Sequence, residues 1–308
     1  MKKLCFVLLT AFSALCALEE EDLIWKEGPS VQEYNSALHQ AIAIGDWWKV
    51  IDFASIISYN FPTSPFAQEI SYIMGEAYYK LDQLEYANEA FTEYLNHSSA
   101  PKHFEEAIEY KFNIAERLAS GEKKRLFGSP KMPAWVPARA DSIEIFDEVI
   151  AALPHSELAI RSLLSKARVQ SLEEDYKPSL ETLDLLIRRF PKHELAAAAY
   201  LEKEKVYLMQ CQAKNLDPDV LDMAEVNLRK FHLAFPREAR LAEGDKIYSE
   251  MQEIFAQNLL ETGAFFEKTK KVPAALIYYN KVIAKYPKTK AAAASLEKLS
   301  VLQPSSSR

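Results

Sequence analysis

Apolar and small residues recur at the first, fifth, eighth and twelfth places of a thirteen-residue cadence that closes on proline. Aligned on that proline, the chain reads VIDFASIISYNFP (50–62), SIEIFDEVIAALP (142–154), SLETLDLLIRRFP (179–191), AEVNLRKFHLAFP (224–236) and ALIYYNKVIAKYP (275–287). ANEAFTEYLNHSS (87–99) keeps the small residue and Phe91 but not the proline. This spacing predicts one apolar stripe of an amphipathic helix, which the proline then stops. A unit repeated in this way cannot bury its stripe alone, so neighbouring copies must stack.

A second helix precedes each of these, giving helix–turn–helix units. Counting back from the proline as position 32, the last unit has Gly263 at position 8, Phe266 at 11, Ala275 at 20 and Tyr279 at 24. The second unit has Gly75, Tyr78, Ala87 and Phe91 at the same places. Small residues at 8 and 20 let the paired helices touch, and aromatics at 11 and 24 fill the space beside them; these are tetratricopeptide positions. The expected fold is all-α, a tetratricopeptide-repeat solenoid of about six units at about 31–62, 67–99, 103–154, 157–191, 194–236 and 238–287. They are expected to form a single solenoid over 30–302, with a disordered tail at 303–308. Insertions lengthen the spacing between prolines, chiefly at 120–140 and 213–220.

Composition agrees with a helical repeat: only 7 of 308 residues are Gly, and many of the 15 prolines sit where helices should end. The net charge of −7 argues against a nucleic-acid surface, which would cluster Lys and Arg. The exception is GEKKRLFGSPKMPAWVPARAD (121–141), with three consecutive basic residues and the aromatics Phe127 and Trp135. It reads either as a solvated loop or as a partner contact.

The first residues, MKKLCFVLLTAFSALCA, have two lysines, an apolar core and small residues before an acidic stretch. That is the pattern of a secretory signal peptide at 1–17, too short to span a bilayer. Cys16 is a possible lipidation site, although Leu15 is bulky for the place before a lipidated cysteine. Simple cleavage near Ala17 is the alternative. Cys211 then stands alone in the exported body, so no intramolecular disulfide is expected.

The chain has no P-loop, G-x-S-x-G, H-E-x-x-H or C-x-x-C motif. Its six histidines fall mostly near helix ends and turns, where they cap or face water. No catalytic residue, cofactor or metal is expected, and the chain reads as a binding protein rather than an enzyme.

With its aromatic–proline helix ends, a long loop in the third repeat, and the C-terminal run RLAEGDKIYSEMQEIFAQNLLETGAFFEKTKKVPAALIYYNKVIAKYPKT, the chain resembles the BamD family over roughly 30–290. It departs from that family's usual five repeats through an extra unit at 157–191. The resemblance implies a lipoprotein on the periplasmic face of the outer membrane, in the complex that folds and inserts β-barrel proteins. It implies two partners: the barrel-forming insertase subunit with periplasmic repeat domains, bound by the C-terminal repeats, and unfolded barrel clients, held by the N-terminal ones. Positions 2, 5, 9 and 12 of a first helix line such a groove, which here means Glu69, Tyr72, Glu76 and Tyr79, and more loosely Asn35 and His39. The two tyrosines could equally cover neighbouring helices. In the last unit Glu267, Lys268, Lys270 and Lys271 form the turn, either to keep it soluble or as a charged dock. Two other readings stay open: another periplasmic tetratricopeptide adaptor, for instance one coordinating cell-wall synthesis, and an enzyme built on a helical repeat.

Overall fold

The computed structural model describes residues 29–97, 100–125, 134–213 and 216–302. The signal segment with Cys16, Phe127 in the long loop and the tail at 303–308 lie outside the described residues. Thirteen helices are described: α1 Val31–Ile44, α2 Trp47–Asn60, α3 Ala67–Lys80, α4 Leu84–His97, α5 Phe104–Ala119, α6 Asp141–Ala152, α7 Glu157–Leu172, α8 Tyr176–Arg189, α9 Glu194–Gln212, α10 Pro218–Ala234, α11 Leu241–Lys268, α12 Val272–Lys285 and α13 Lys290–Leu302. The chain divides into two compact units, one ending at Ala107 and one beginning at Ile108. In the first, α1 packs on α2, α2 on α3 and α3 on α4; in the second, neighbouring helices from α6 to α13 pack in the same serial manner. The fold is all-α and of the tetratricopeptide class.

The thirteen-residue cadence corresponds to α2, α4, α6, α8, α10 and α12. Its first, fifth and eighth places are buried in all six, including Ile57, Val149, Leu186, Phe231 and Val282 at the eighth place of the proline-closed copies. Each of those copies also ends alike. Phe61, Leu153, Phe190, Phe235 and Tyr286 all have φ between −134° and −129° and ψ between 52° and 63°. The following proline excludes the α-helical region for the residue before it, so the helix must stop there. Each of these five still donates its N–H to the carbonyl of the buried eighth-place residue, at 2.8–3.1 Å. Two residues beyond each proline a polar side chain takes up a free N–H of the next turn: Ser64, Ser156, His193, Glu238 and Thr289 accept from Phe66, Ala159, Leu195, Arg240 and Ala292.

The turn inside a unit is closed by a different device. Gly45, Asp82, Glu174 and Lys270 adopt left-handed φ of 55–73°, each two residues ahead of the second helix. The next residue donates back to position 11 of the first helix: Asp46 to Ala41, Gln83 to Tyr78, Asp175 to Gln170 and Lys271 to Phe266, at 2.8–3.0 Å. This is a Schellman closure. Only one of the four left-handed sites holds glycine, so the geometry is imposed by the helix pair rather than chosen by the residue.

Between the helices of a pair, position 8 meets position 24. A Cβ on Gly75 would stand 2.7 Å from Cε1 of Phe91, and one on Gly263 would stand 2.7 Å from Cε1 of Tyr279. Both rings are fully buried. In the unit at 157–191 the same places hold Ala167 and Leu183, and Ser179 Oγ donates to the Ala167 carbonyl at 2.7 Å. The proline-free α11 runs for 28 residues. Its first half lies on α9 and α10, with Gly244 close to Leu228, and its second half pairs with α12 and α13.

The stretch 121–141 differs from the expectation of a plain loop. Lys123–Arg125 (β1) and Ala134–Pro137 (β2) pair antiparallel, with Lys124 opposite Val136. Trp135 and Val136 favour extended backbone, and Pro137 can sit there because it ends the strand. Trp135 is 67% exposed, and Lys124 pairs with Asp141.

Substituting Gly75 or Gly263 by Ala forces each new methyl group into a ring that cannot retreat. Each variant is expected to lose about 1–3 kcal/mol of stability, measured by urea unfolding. Unfolding midpoints equal to wild type for both would show that these helix pairs do not touch as described.

Candidate functional site

The residues named from sequence fall in two places. In the first unit, α3 carries Glu69, Tyr72, Glu76 and Tyr79 on one side. Tyr72 is 8% exposed: its ring stacks on His103 at 4.6 Å between centroids and packs against Tyr94 and Phe91 at 5.3 and 5.8 Å. Its hydroxyl donates to Glu76 at 3.3 Å. His103 is fixed above it, because its backbone N–H donates to the Tyr94 hydroxyl at 2.8 Å. Glu69 pairs with Lys102 at 3.4 Å. The outward part of this surface is therefore made by half-exposed Glu69, Glu76 and Tyr79, with Tyr72 as its aromatic floor. On α1, Asn35 is half-buried and His39 exposed, one helical turn apart.

In the second unit, the Schellman turn between α11 and α12 exposes Lys268, Lys270 and Lys271. Glu267 is held inward. It accepts the Tyr279 hydroxyl at 2.6 Å and pairs with Lys298 at 3.2 Å. First the tyrosine hydrogen bond and then Lys298 hold its carboxyl below the usual glutamate range. Beside the lysines stands an aromatic row that the charges alone did not reveal. Phe265, 61% exposed, meets Phe266 edge-on at 5.6 Å, and Phe266 stacks on Tyr278 at 5.4 Å. Ile277, next to Tyr278 on α12, is also exposed. The repeat register accounts for Phe266 at position 11 but leaves Phe265 unexplained, and that surplus ring was the available signal. An apolar centre rimmed by ammonium groups suits a protein partner.

A third constellation went unread. Glu204 on α9 is fully buried, and Asn227 on α10 donates to it at 2.7 Å. Burial pushes the Glu204 carboxyl up to about 7, against the lowering effects of Asn227 and Lys203. Lys203 itself pairs with Asp184 on α8 at 2.7 Å. Cys211, near the end of α9, is buried, and burial raises its thiol to about 11, which leaves it protonated and unreactive. His193 caps α9: its Nδ1 accepts from Leu195, so Nε2 carries the proton and donates to Glu157 at 3.1 Å. Among the described residues, no group of three His, Cys, Asp or Glu side chains could hold a metal ion, and no helix is long and apolar enough to cross a membrane.

These features define a helical-repeat protein of the tetratricopeptide class. Residues 139–302, just over half of the chain, match the family model YfiO, described as an outer membrane lipoprotein. The chain belongs to that family, the one the sequence resemblance named as BamD. No curated protein sequence matches the chain. Three solved structures illustrate the wider likeness. MamA, residue 41 to the end, from Desulfovibrio magneticus RS-1 has a TM-score of 0.36 at 13% identity, covering 70% of this chain and 99% of its own. A tetratricopeptide repeat protein from Parabacteroides merdae ATCC 43184 has a TM-score of 0.36 at 12% identity, covering 90% and 100%. PilW, titled a widely conserved type IV pilus biogenesis factor, has a TM-score of 0.31 at 14% identity, covering 88% and 100%. At these scores the likenesses carry no argument, and the fold rests on the helices themselves.

The buried glutamate gives a pH-dependent stability. An ordinary glutamate titrates at 4.5, and Glu204 in the folded chain at about 7. A folded value raised in this way contributes stability that is complete below about pH 4.5 and lost as pH rises through about 7, to the extent of about 3 kcal/mol. Glu204→Gln keeps the acceptor for Asn227 and cannot ionise. The variant is expected to gain on wild type between about pH 4.5 and pH 7 and to level off above that, followed by urea unfolding. A stability difference that stays constant across that range would mean that Glu204 does not titrate there.

Proposed function

We propose that this protein is a non-catalytic scaffold of the machinery that folds and inserts outer-membrane β-barrel proteins, working on the periplasmic face of the membrane. The observation that carries this reading is the family match, which runs unbroken from 139 to 302 and so takes in α6 to α13 with the exposed lysine turn. Two surfaces share the work. The α3 side in the first unit, with the carboxylates of Glu69 and Glu76 above aromatic rings, suits an extended client strand that needs backbone acceptors and ends in an aromatic residue. The turn of Lys268, Lys270 and Lys271, with Phe265 beside it, suits the barrel-forming insertase subunit. Export and a lipid on Cys16 would hold the scaffold at the membrane, where one lipidated cysteine works together with protein contacts.

The dock can be tested without disturbing the turn. Lys270 occupies the left-handed site that shapes the Schellman closure and is left alone. Lys268→Glu with Lys271→Glu reverses two exposed charges. The double variant is expected to capture the insertase subunit on the order of tenfold more weakly at low salt, less so at moderate salt, with unchanged helicity and unchanged binding of client peptides. Capture at the wild-type level at both salt concentrations would remove this surface from the account.

The anchor is tested separately. Cys16→Ser is expected to move the protein from the membrane pellet to the soluble periplasmic fraction after a high-salt wash. A wild-type protein that is already soluble under that wash carries no lipid anchor.

A further inference from the structure

Glu204 and Asn227 are joined by one hydrogen bond, and each has an oxygen left over. Asn227 Nδ2 on α10 donates to Glu204 Oε1 at 2.7 Å and to the Tyr200 carbonyl at 3.0 Å, both on α9. Both partners accept, which fixes the orientation of the amide. Glu204 Oε2 and Asn227 Oδ1 are buried and have no partner among the described residues. The two residues are 0% and 2% exposed. Buried polar atoms without partners are rare and costly, and here two belong to a single bonded pair.

Two acceptors cannot satisfy each other. An ionised glutamate only accepts, so a charged Glu204 leaves both oxygens orphaned and buries an anion as well. One proton on Oε2 changes this. A carboxylic acid donates through one oxygen and accepts through the other, which complements a carboxamide.

The surrounding charges do not supply the missing donor. Lys203 on α9 is held by Asp184 of α8 at 2.7 Å and acts on Glu204 only through space. Asp245 on α11 pairs with His232 on α10 at 2.8 Å, and its charge further disfavours an anion at Glu204. Tyr207 on α9, with Asp222 and Lys230 on α10, lines the cavity that Asn227 borders. Burial outweighs the pull of Asn227 and Lys203 on the carboxyl.

We propose that Glu204 keeps its proton in the folded chain and donates it from Oε2 to Asn227 Oδ1, making the acid–amide pair a proton-dependent latch that closes α10 on α9. With the proton, the pair has two hydrogen bonds and no orphan. Without it, a buried anion faces an unpaired oxygen and the seam loosens. Burial alone would make stability depend on pH; the latch says where the proton goes and which seam it holds. It stands whether or not the protein serves barrel insertion.

The test is NMR on the full chain with labelled Glu and Asn side chains. At about pH 6 the Glu204 carboxyl carbon is expected at its protonated position. A slowly exchanging acid proton is expected with it, giving a through-space cross-peak to the Asn227 side-chain N–H. Hydrogen-exchange protection of the α10 amides, corrected for the intrinsic rate, is expected to fall on the order of tenfold between about pH 6 and about pH 8. Glu204→Gln offers an N–H in place of the O–H and cannot ionise, so it is expected to abolish most of that fall. Any remainder belongs to His232 with Asp245. A Glu204 carboxyl already ionised at pH 6, or an acid proton in free exchange with water, would overturn the proposal. So would α10 protection that falls as steeply in Glu204→Gln as in wild type.

Discussion

Two of the helix pairs depend on one contact: a residue without a side chain on the first helix, pressed against an aromatic ring on the second. At Gly75 with Phe91 and at Gly263 with Tyr279 the approach is too close for even a methyl group. That closeness lets fourteen-residue second helices such as α4 and α12 bury three of their places completely. It also sets the length of the connection, because helices this close need a tight reversal. In these two pairs the left-handed residue of the turn follows from that requirement, which is why Asp82 and Lys270 accept a conformation normally left to glycine.

Much of this was legible in the sequence for a physical reason. Proline acts on its immediate neighbour, so the five aromatic–proline or Leu–Pro ends could be located without knowing any tertiary partner. The buried places follow from helical spacing, which is equally local. The family resemblance was carried by the same local signals and by the quoted run at 240–289, most of whose first half is found here as α11. Less accessible were features that need two distant segments. Tyr72 sits at a groove-facing place, yet His103 and Tyr94 close over its ring, and neither can be placed from the spacing within α3. The pairing of β1 with β2 depends on a register across a loop that no periodicity announces. Glu204 looks like any helix glutamate until α10 delivers Asn227 to it.

The candidate surfaces show the same division. The lysines of the last turn could be named from composition and position, whereas the exposed ring of Phe265 became meaningful only once Phe266 was seen packed on Tyr278. Charge at such a rim tunes the rate and salt dependence of association, and the apolar centre supplies the affinity. A stack of helix pairs supports several such surfaces because each pair leans mainly on its neighbours.

The central claim is that the protein is a working part of the barrel-insertion machinery rather than a general periplasmic adaptor. The most direct measurement is its isolation from detergent-solubilised envelopes, followed by mass spectrometry of what comes with it. The account predicts near-stoichiometric recovery of a β-barrel membrane protein that carries repeated periplasmic domains. Recovery of the protein alone, or with cell-wall synthesis proteins and no such barrel subunit, would contradict it.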